Sequence, residues 1–246
     1  MSARIVCGLQ PVREAIRAHG ERLERVLVAA RDREPSPQLE ALARFARDRG
    51  AHVERPARGE LDRLAHGVHH QGAIALAPDL GMASLADVAV DAGTLVVALD
   101  EVQDPQNFGA IIRSAVAMGA TAVVWPEHRS APLSAATFRA SAGAVEHATL
   151  CRVTSLPPAL EDLRSRGVTV VGLDGAADVC IDAIDLAGPL ALVVGAEGKG
   201  LRKTVKRTCD HLARLPMPGP IDALNASVAV AIALYEAVRQ RSAPRA

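Results

Sequence analysis

The chain reads as an α/β protein built on a parallel sheet, and three observations predict it. Apolar runs at residues 95–99, 122–125, 168–173 and 190–194 are continuous rather than alternating, as strands covered on both faces must be. Segments of helical spacing at 110–118, 134–142 and about 227–239 are interleaved with them, the pattern of crossover connections. Polar, Gly- and Pro-rich stretches then follow three of the strand ends, where open α/β sheets place ligands.

Taken in order, the first elements form a smaller α/β region. Residues 26–30 are a short apolar strand, Leu39, Leu42, Phe45 and Ala46 mark one face of an amphipathic helix, and 52–54 and 73–77 read as further short strands. The Pro78-Asp79-Leu80-Gly81 turn opens a weakly patterned stretch to Gly93. The expected organisation is therefore a domain over 1–78, a linker over 79–93 and a larger domain over 94–246. The last helix, from about Ser227 to Arg239, is apolar nearly all round.

Composition removes several classes. Among 246 residues, 28 basic and 28 acidic side chains give a formal net charge of 0, with 49% hydrophobic and 23% charged residues, a globular balance rather than a disordered one. Aromatics are 2%, so the cores are built from Ala, Val, Leu and Ile. The N-terminal residues lack the apolar core of a secretory signal, and the longest apolar stretch, 226–238, is interrupted by Ser227 and Glu236 and is too short for a bilayer. Cys7, Cys151, Cys180 and Cys209 are scattered without a CxxC, which predicts reduced thiols and a cytoplasmic protein. His66, His69 and His70 lie close together, but no HExxH glutamate or nearby Cys joins them, so no metal is expected.

The chemistry is expected at the three strand ends. The first is residues 100–109, leading into a helix that holds Arg113. The second is Gly195-Ala196-Glu197-Gly198-Lys199-Gly200, and the third is 215–225, opening the last helix. Each alone reads equally as a capped strand-to-helix turn, whereas three on one sheet point to a site whose glycines and free N–H groups admit a ligand. The second is neither a Walker P-loop, since Lys199 is followed by Gly200, nor a GxGxxG dinucleotide loop. Lys199, Arg202, Lys203, Lys206 and Arg207 follow at i, i+3, i+4, i+7 and i+8, which would set all five on one helix face. A solvated surface helix is the alternative reading, but Asp210 is the only acid before Arg214, so the run favours a polyanion footprint.

DPQNFGAIIRSA (104–115), LALVVGAEGKGLR (190–202) and LPMPGPIDALNASVAVAIALYEAVRQR (215–241) resemble motifs one, two and three of the SpoU (TrmH-type) RNA ribose 2'-O-methyltransferases, in the family's order. Residues 8–29 and 69–77 are similar to that family's small N-terminal RNA-binding domain, so the resemblance spans essentially the whole chain. HRSAPLSAATFRASAGAVEH (128–147) is similar to the branch that modifies a guanosine of large-subunit (23S) ribosomal RNA. The resemblance implies a C-terminal SPOUT domain with a parallel sheet and a trefoil knot, an N-terminal L30e-like α/β domain, and a homodimer joined through the motif-three helix. S-adenosyl-L-methionine would lie in the knot against Gly195, Leu215 and Leu224, with Ile221 and Met217 as flanking walls.

The resemblance further implies that Asn107, Arg113, Glu197 and Asn225 are catalytic. A guanidinium keeps its proton at neutral pH, so Arg113 is read as an electrostatic stabiliser and phosphate anchor rather than a base. Asn107 would orient Arg113 or the ribose, Glu197 would meet a cation or hydroxyl, and Asn225 would complete the floor. Ribosomal RNA would run over Lys199, Arg202, Lys203, Lys206 and Arg207. Two departures from the family pattern stand out: Ala223 replaces the usual serine before Leu224-Asn225, leaving Ser227 or Asp222 to supply the hydrogen bond, and Gln106 replaces a common histidine. The competing readings are 2'-O-methylation of tRNA or of an antibiotic-resistance site, and an RNA-binding protein that has lost catalysis.

Overall fold

The structure, a computed structural model, describes residues 3–30, 36–220 and 222–243. The chain divides into two compact units, one formed by residues 1–81 with 141–147, the other by 82–140 with 148–246.

In the first unit the strands are β1 (Arg4–Cys7), β2 (Arg25–Val28), β3 (Val53–Glu54) and β4 (Ala73–Ala77), with helices α1 (Leu9–His19), α2 (Pro37–Asp48) and α3 (Arg58–Leu64). The sheet order is β1-β4-β2-β3. β4, buried throughout, pairs antiparallel with both β1 and β2, and β2 pairs parallel with β3. Val12 and Ile16 of α1 and Ala43 and Ala46 of α2 pack on Val26 and Val28. Segment 141–147 joins this unit through Glu146, which is buried and accepts from Arg4 Nη1 at 2.8 Å and Nη2 at 2.6 Å. Among the clustered histidines, His70 is buried for a structural reason: its Nδ1 accepts from the Gly72 N–H at 3.0 Å while Nε2 meets Asp62 at 2.9 Å.

Among the described residues the second unit carries six parallel strands: β5 (Leu95–Asp100), β6 (Ala122–Pro126), β7 (Leu150–Val153), β8 (Thr169–Leu173), β9 (Leu190–Gly195) and β10 (His211–Ala213). Their order is β10-β8-β9-β5-β6-β7. The connecting helices are α4 (Pro105–Ala117), α5 (Ala135–Ala140), α6 (Leu156–Ser165), α7 (Lys203–Thr208) and α8 (Ala226–Ser242). The chain runs outward from β5 to β6 and β7, then crosses to β8 on the far side of β9, so the order reverses at the β9–β5 boundary. Register there pairs Leu95 with Leu190 and Asp100 with Gly195, which brings both strands to their carboxyl ends at one level. That is where an open α/β sheet leaves a crevice.

The helix entering the crevice is fixed from its sequence. Asp104 caps α4 by accepting from Gln106 N at 3.1 Å and Asn107 N at 3.3 Å, with Pro105 preset at the first helical position. Phe108, 1% exposed, packs edge-on against Trp125 of β6 with ring centroids 5.2 Å apart, anchoring the first turn of α4 to the sheet. Leu85 and Val88 of the stretch before β5 are buried in the core of this unit with Val96, Val124 and Val193. Among the described residues no helix is long and apolar enough to cross a membrane.

One expectation is corrected. The basic run does not form one helix, because α7 covers Lys203–Thr208 alone. Lys199 lies in the turn before it, and Arg202 is the extended N-cap at ψ 149, held there because its backbone N–H donates to Asp100 Oδ2 at 2.8 Å.

Candidate active site

The loops after β8, β9 and β10 wall a cavity of about 360 Å³. Its shape depends on the turn after β9. A Cβ on Gly195 would lie 2.1 Å from the carbonyl carbon of Gly200, so only glycine lets the 196–200 segment fold back over the strand end. Gly200 N donates to Ala196 O at 2.9 Å to close that turn, and Gly198 and Gly200 take φ of +73° and +62°. Leu173, Val194, Leu215, Met217 and Leu224 supply apolar wall, and Asp174 and Lys206 form an ion pair at its edge. Burial alone would raise the Asp174 carboxyl, but hydrogen bonds from Lys206 and the Ala176 N–H hold it below its ordinary value.

Beside this cavity three predicted catalytic side chains meet. Asn107, 6% exposed in the first turn of α4, donates from Nδ2 to Glu197 Oε1 at 2.6 Å. Asn225 donates from Nδ2 to the same Oε1 at 2.5 Å and to Asn107 Oδ1 at 2.9 Å. Asn225 Oδ1 faces the other way and caps α8, accepting from Ser227 N at 2.9 Å, Val228 N at 3.4 Å and the Ser227 hydroxyl at 2.6 Å. Within the chain Glu197 is thus met by a pair of amides, where a cation or hydroxyl was expected. Ser227 does supply a hydroxyl to the motif-three asparagine where Ala223 cannot.

Arg113 is not part of this cluster. It lies on an exposed face of α4 and makes no hydrogen bond or ion pair among the described residues, so its guanidinium is free for a ligand. Of the residues named for the cofactor, Gly195, Leu215 and Leu224 line the cavity, and Ile221 lies outside the described residues. Of the basic residues, Lys199 and Lys206 line the cavity, and Arg202 is committed to Asp100, which accepts from its Nε at 2.7 Å. Lys203 and Arg207 are exposed and unpaired among the described residues. Sequence reasoning missed the loop after β8, residues 174–176. Its signal was the one used for the other loops, polar residues and a glycine after a buried strand, in a turn too short to stand out. Among the described residues no group of three His, Cys, Asp or Glu side chains could hold a metal.

Comparison with known proteins identifies the family. Residues 94–235 match the model of the SpoU rRNA methylase family, and residues 5–81 match that of the RNA 2'-O ribose methyltransferase substrate-binding domain. A tRNA/rRNA methyltransferase of Mycolicibacterium vanbaalenii, described as uncharacterised, is 40% identical over 242 residues, covering 96% of this chain and 76% of that one. The 23S rRNA (guanosine-2'-O-)-methyltransferase RlmB of Xanthomonas campestris is 39% identical over 241 residues, covering 96% of each. Among solved structures, the SpoU methyltransferase AviRb of Streptomyces viridochromogenes, in complex with the cofactor AdoMet, superposes with a TM-score of 0.78 at 28% identity, covering 98% of this chain and 91% of that one. Fold, site and both matched segments lead to one assignment: the chain belongs to the SpoU rRNA methylase family.

Proposed function

We propose that this protein transfers a methyl group from S-adenosyl-L-methionine to the ribose 2'-hydroxyl of a guanosine in 23S ribosomal RNA. The observation that carries the reading is the Asn107–Glu197–Asn225 cluster beside a cavity of about 360 Å³. The donor set suits the cofactor. The volume falls in the range of small-ligand sites, roughly 300–1,000 Å³. Leu173, Leu215 and Met217 offer apolar surface to a purine, and the 196–200 turn offers backbone groups to a polar tail. Bound there, the cofactor supplies an activated methyl and its own leaving group.

The chain's own residues have positioning and electrostatics to provide. Asn107 and Asn225 fix the Glu197 carboxylate through one oxygen, so it enters the reaction already oriented toward the nucleoside hydroxyls. Arg113, unpaired and exposed, anchors the phosphate next to the target ribose and stabilises charge that develops on the 2'-oxygen. Lys199, Lys203 and Arg207 extend the positive surface for the RNA backbone, whereas Lys206 is paired with Asp174 at the cavity edge and Arg202 is held by Asp100. A homodimer closed over the exposed Val228, Ile232 and Tyr235 of α8 belongs to the same reading, as does action in the cytoplasm on ribosomal RNA.

Incubation with tritiated S-adenosylmethionine and, separately, unmodified large-subunit ribosomal RNA and bulk tRNA tests this. Label confined to the ribosomal RNA is expected. Label confined to tRNA would move the target, and RNA binding without label in either pool or in a ribosomal particle would mean that catalysis has been lost.

A further inference from the structure

A second cavity, of about 120 Å³, opens at the carboxyl ends of β5, β6 and β7, lined by Glu101, Arg129 and Arg202 with Pro126 and Ser155 beside them. Arg129 belongs to the 128–147 segment singled out in the sequence and not used by the site above.

Glu101 and Arg129 both take φ of +59°, a left-handed conformation that side-chain-bearing residues adopt rarely and that concentrates at functional sites. They hold each other: Arg129 Nη1 donates to Glu101 Oε1 at 3.3 Å. Arg202 Nη1 lies 3.2 Å from the same oxygen, and the rest of its guanidinium is locked on Asp100, whose side chain is fully buried. Ser155 is the N-cap of α6 but makes no capping bond, because Pro157 and Pro158 stand where the N–H groups it would accept from belong. Its hydroxyl is left for another partner.

The charge pattern decides the ligand. A phosphate would meet the Glu101 carboxylate as well as the arginines. A carboxylate set beside guanidiniums instead complements a guanine edge, whose N1–H and N2 amino group donate while O6 and N7 accept from arginine. The cavity also has the right neighbour. Arg202 is two residues beyond Gly200, which lines the larger cavity, and two residues span at most about 7 Å. The two cavities therefore flank one short segment, within reach of the ribose and the base of a single unstacked nucleotide.

We propose that this cavity holds the base of the target guanosine, with Glu101 accepting from the N1–H and N2 amino group and Arg129 donating to O6. The assignment rests on the function proposed above.

The test compares wild type, Glu101→Gln and Arg129→Ala with tritiated S-adenosylmethionine and unmodified large-subunit ribosomal RNA. It reads kcat/KM for labelled guanosine, S-adenosylhomocysteine affinity, and the salt dependence of RNA binding. Each variant is expected to lose roughly 10- to 100-fold in kcat/KM, the scale of one base contact, with S-adenosylhomocysteine affinity unchanged. The Arg129→Ala salt slope should match wild type, because a base carries no charge. A slope reduced by about one would mark a phosphate contact and overturn the assignment. Unchanged kcat/KM in both variants would overturn it too. Arg129, 71% exposed, keeps the test decisive if Glu101→Gln disturbs the Arg202 pair and fails to fold. Wild-type protein that labels no RNA would remove the functional reading and this assignment with it, whereas guanosine labelled equally by wild type and both variants would remove the assignment alone.

Discussion

Asn225 serves two partners at once, and substitutions can separate them. Its Oδ1 caps α8 while its Nδ2 holds Glu197. Asn225→Ala should lose both, costing about 1 kcal/mol of stability for the cap, whereas Asn225→Ser keeps a capping oxygen and should stay within about 0.5 kcal/mol of wild type. Both should lose turnover roughly 10- to 100-fold, the scale of a hydrogen bond to a charged group. Denaturant melts beside methyl-transfer rates check the split, and full activity in Asn225→Ser would show that the amide is dispensable. Arg113 has no structural partner to lose among the described residues. Arg113→Ala should therefore keep the fold and S-adenosylhomocysteine affinity while lowering kcat by about 10²- to 10³-fold, and weakened cofactor binding would contradict its role. At this scale Asn107, Glu197 and Asn225 were singled out by their place in motifs resembling a known family, and the structure brings the three side chains together. Their shared oxygen was not legible in the sequence, since it joins residues 90 and 28 positions apart.

Among the described elements, α8 presents a surface that calls for a partner. Ala226, Val230, Ala233, Leu234 and Ala237 are buried, while Val228, Ile232 and Tyr235 form a second apolar stripe at 45%, 42% and 60% exposure. A helix apolar on both sides is a buried helix, and the proposed dimer would cover that stripe. Ile232→Asp should weaken self-association at least about tenfold while leaving the melting behaviour of the subunit nearly intact, as sedimentation would show. A wild-type chain that sediments as a monomer at micromolar concentration would contradict it. Strands β5, β6, β8 and β9 were readable because their apolar runs are continuous. β7, interrupted by Arg152, and β10, three residues starting at His211, lie at the two edges of the sheet and lack that signal. α6 hides behind Leu156-Pro157-Pro158, which reads as a break. The basic run misled for a related reason: spacing displays the cations, but the acids that hold Arg202 and Lys206 come from the ends of β5 and β8.

At the scale of the whole molecule, stability should fall at both ends of the pH range, for opposite reasons. Burial would raise Asp210, but the Val170 N–H and Arg164 hold it low, as Lys206 and the Ala176 N–H hold Asp174. Carboxylates depressed in the native state stabilise it above their unfolded value, and that contribution drains away as pH drops below about 4. Burial, with Asp210 and Asp100 nearby, pushes the Cys209 thiol from 9.0 up to about 12. The unfolded chain then loses that proton first, so stability should decline from about pH 9 upward. Cys209→Ser, which can keep the bond now made to Val205 O at 3.3 Å, should flatten the alkaline limb, and an unaltered limb would contradict the assignment. The two-unit plan was visible in the change of pattern near residue 80, but the grouping of 141–147 with the first unit was not, because it depends on Glu146 meeting Arg4. The product of the whole molecule is the decisive observable, read by nucleoside analysis of ribosomal RNA labelled by wild-type protein and tritiated S-adenosylmethionine. Label is expected in 2'-O-methylguanosine and in no base-methylated nucleoside. Label on a base, or on the ribose of another nucleoside, would contradict it.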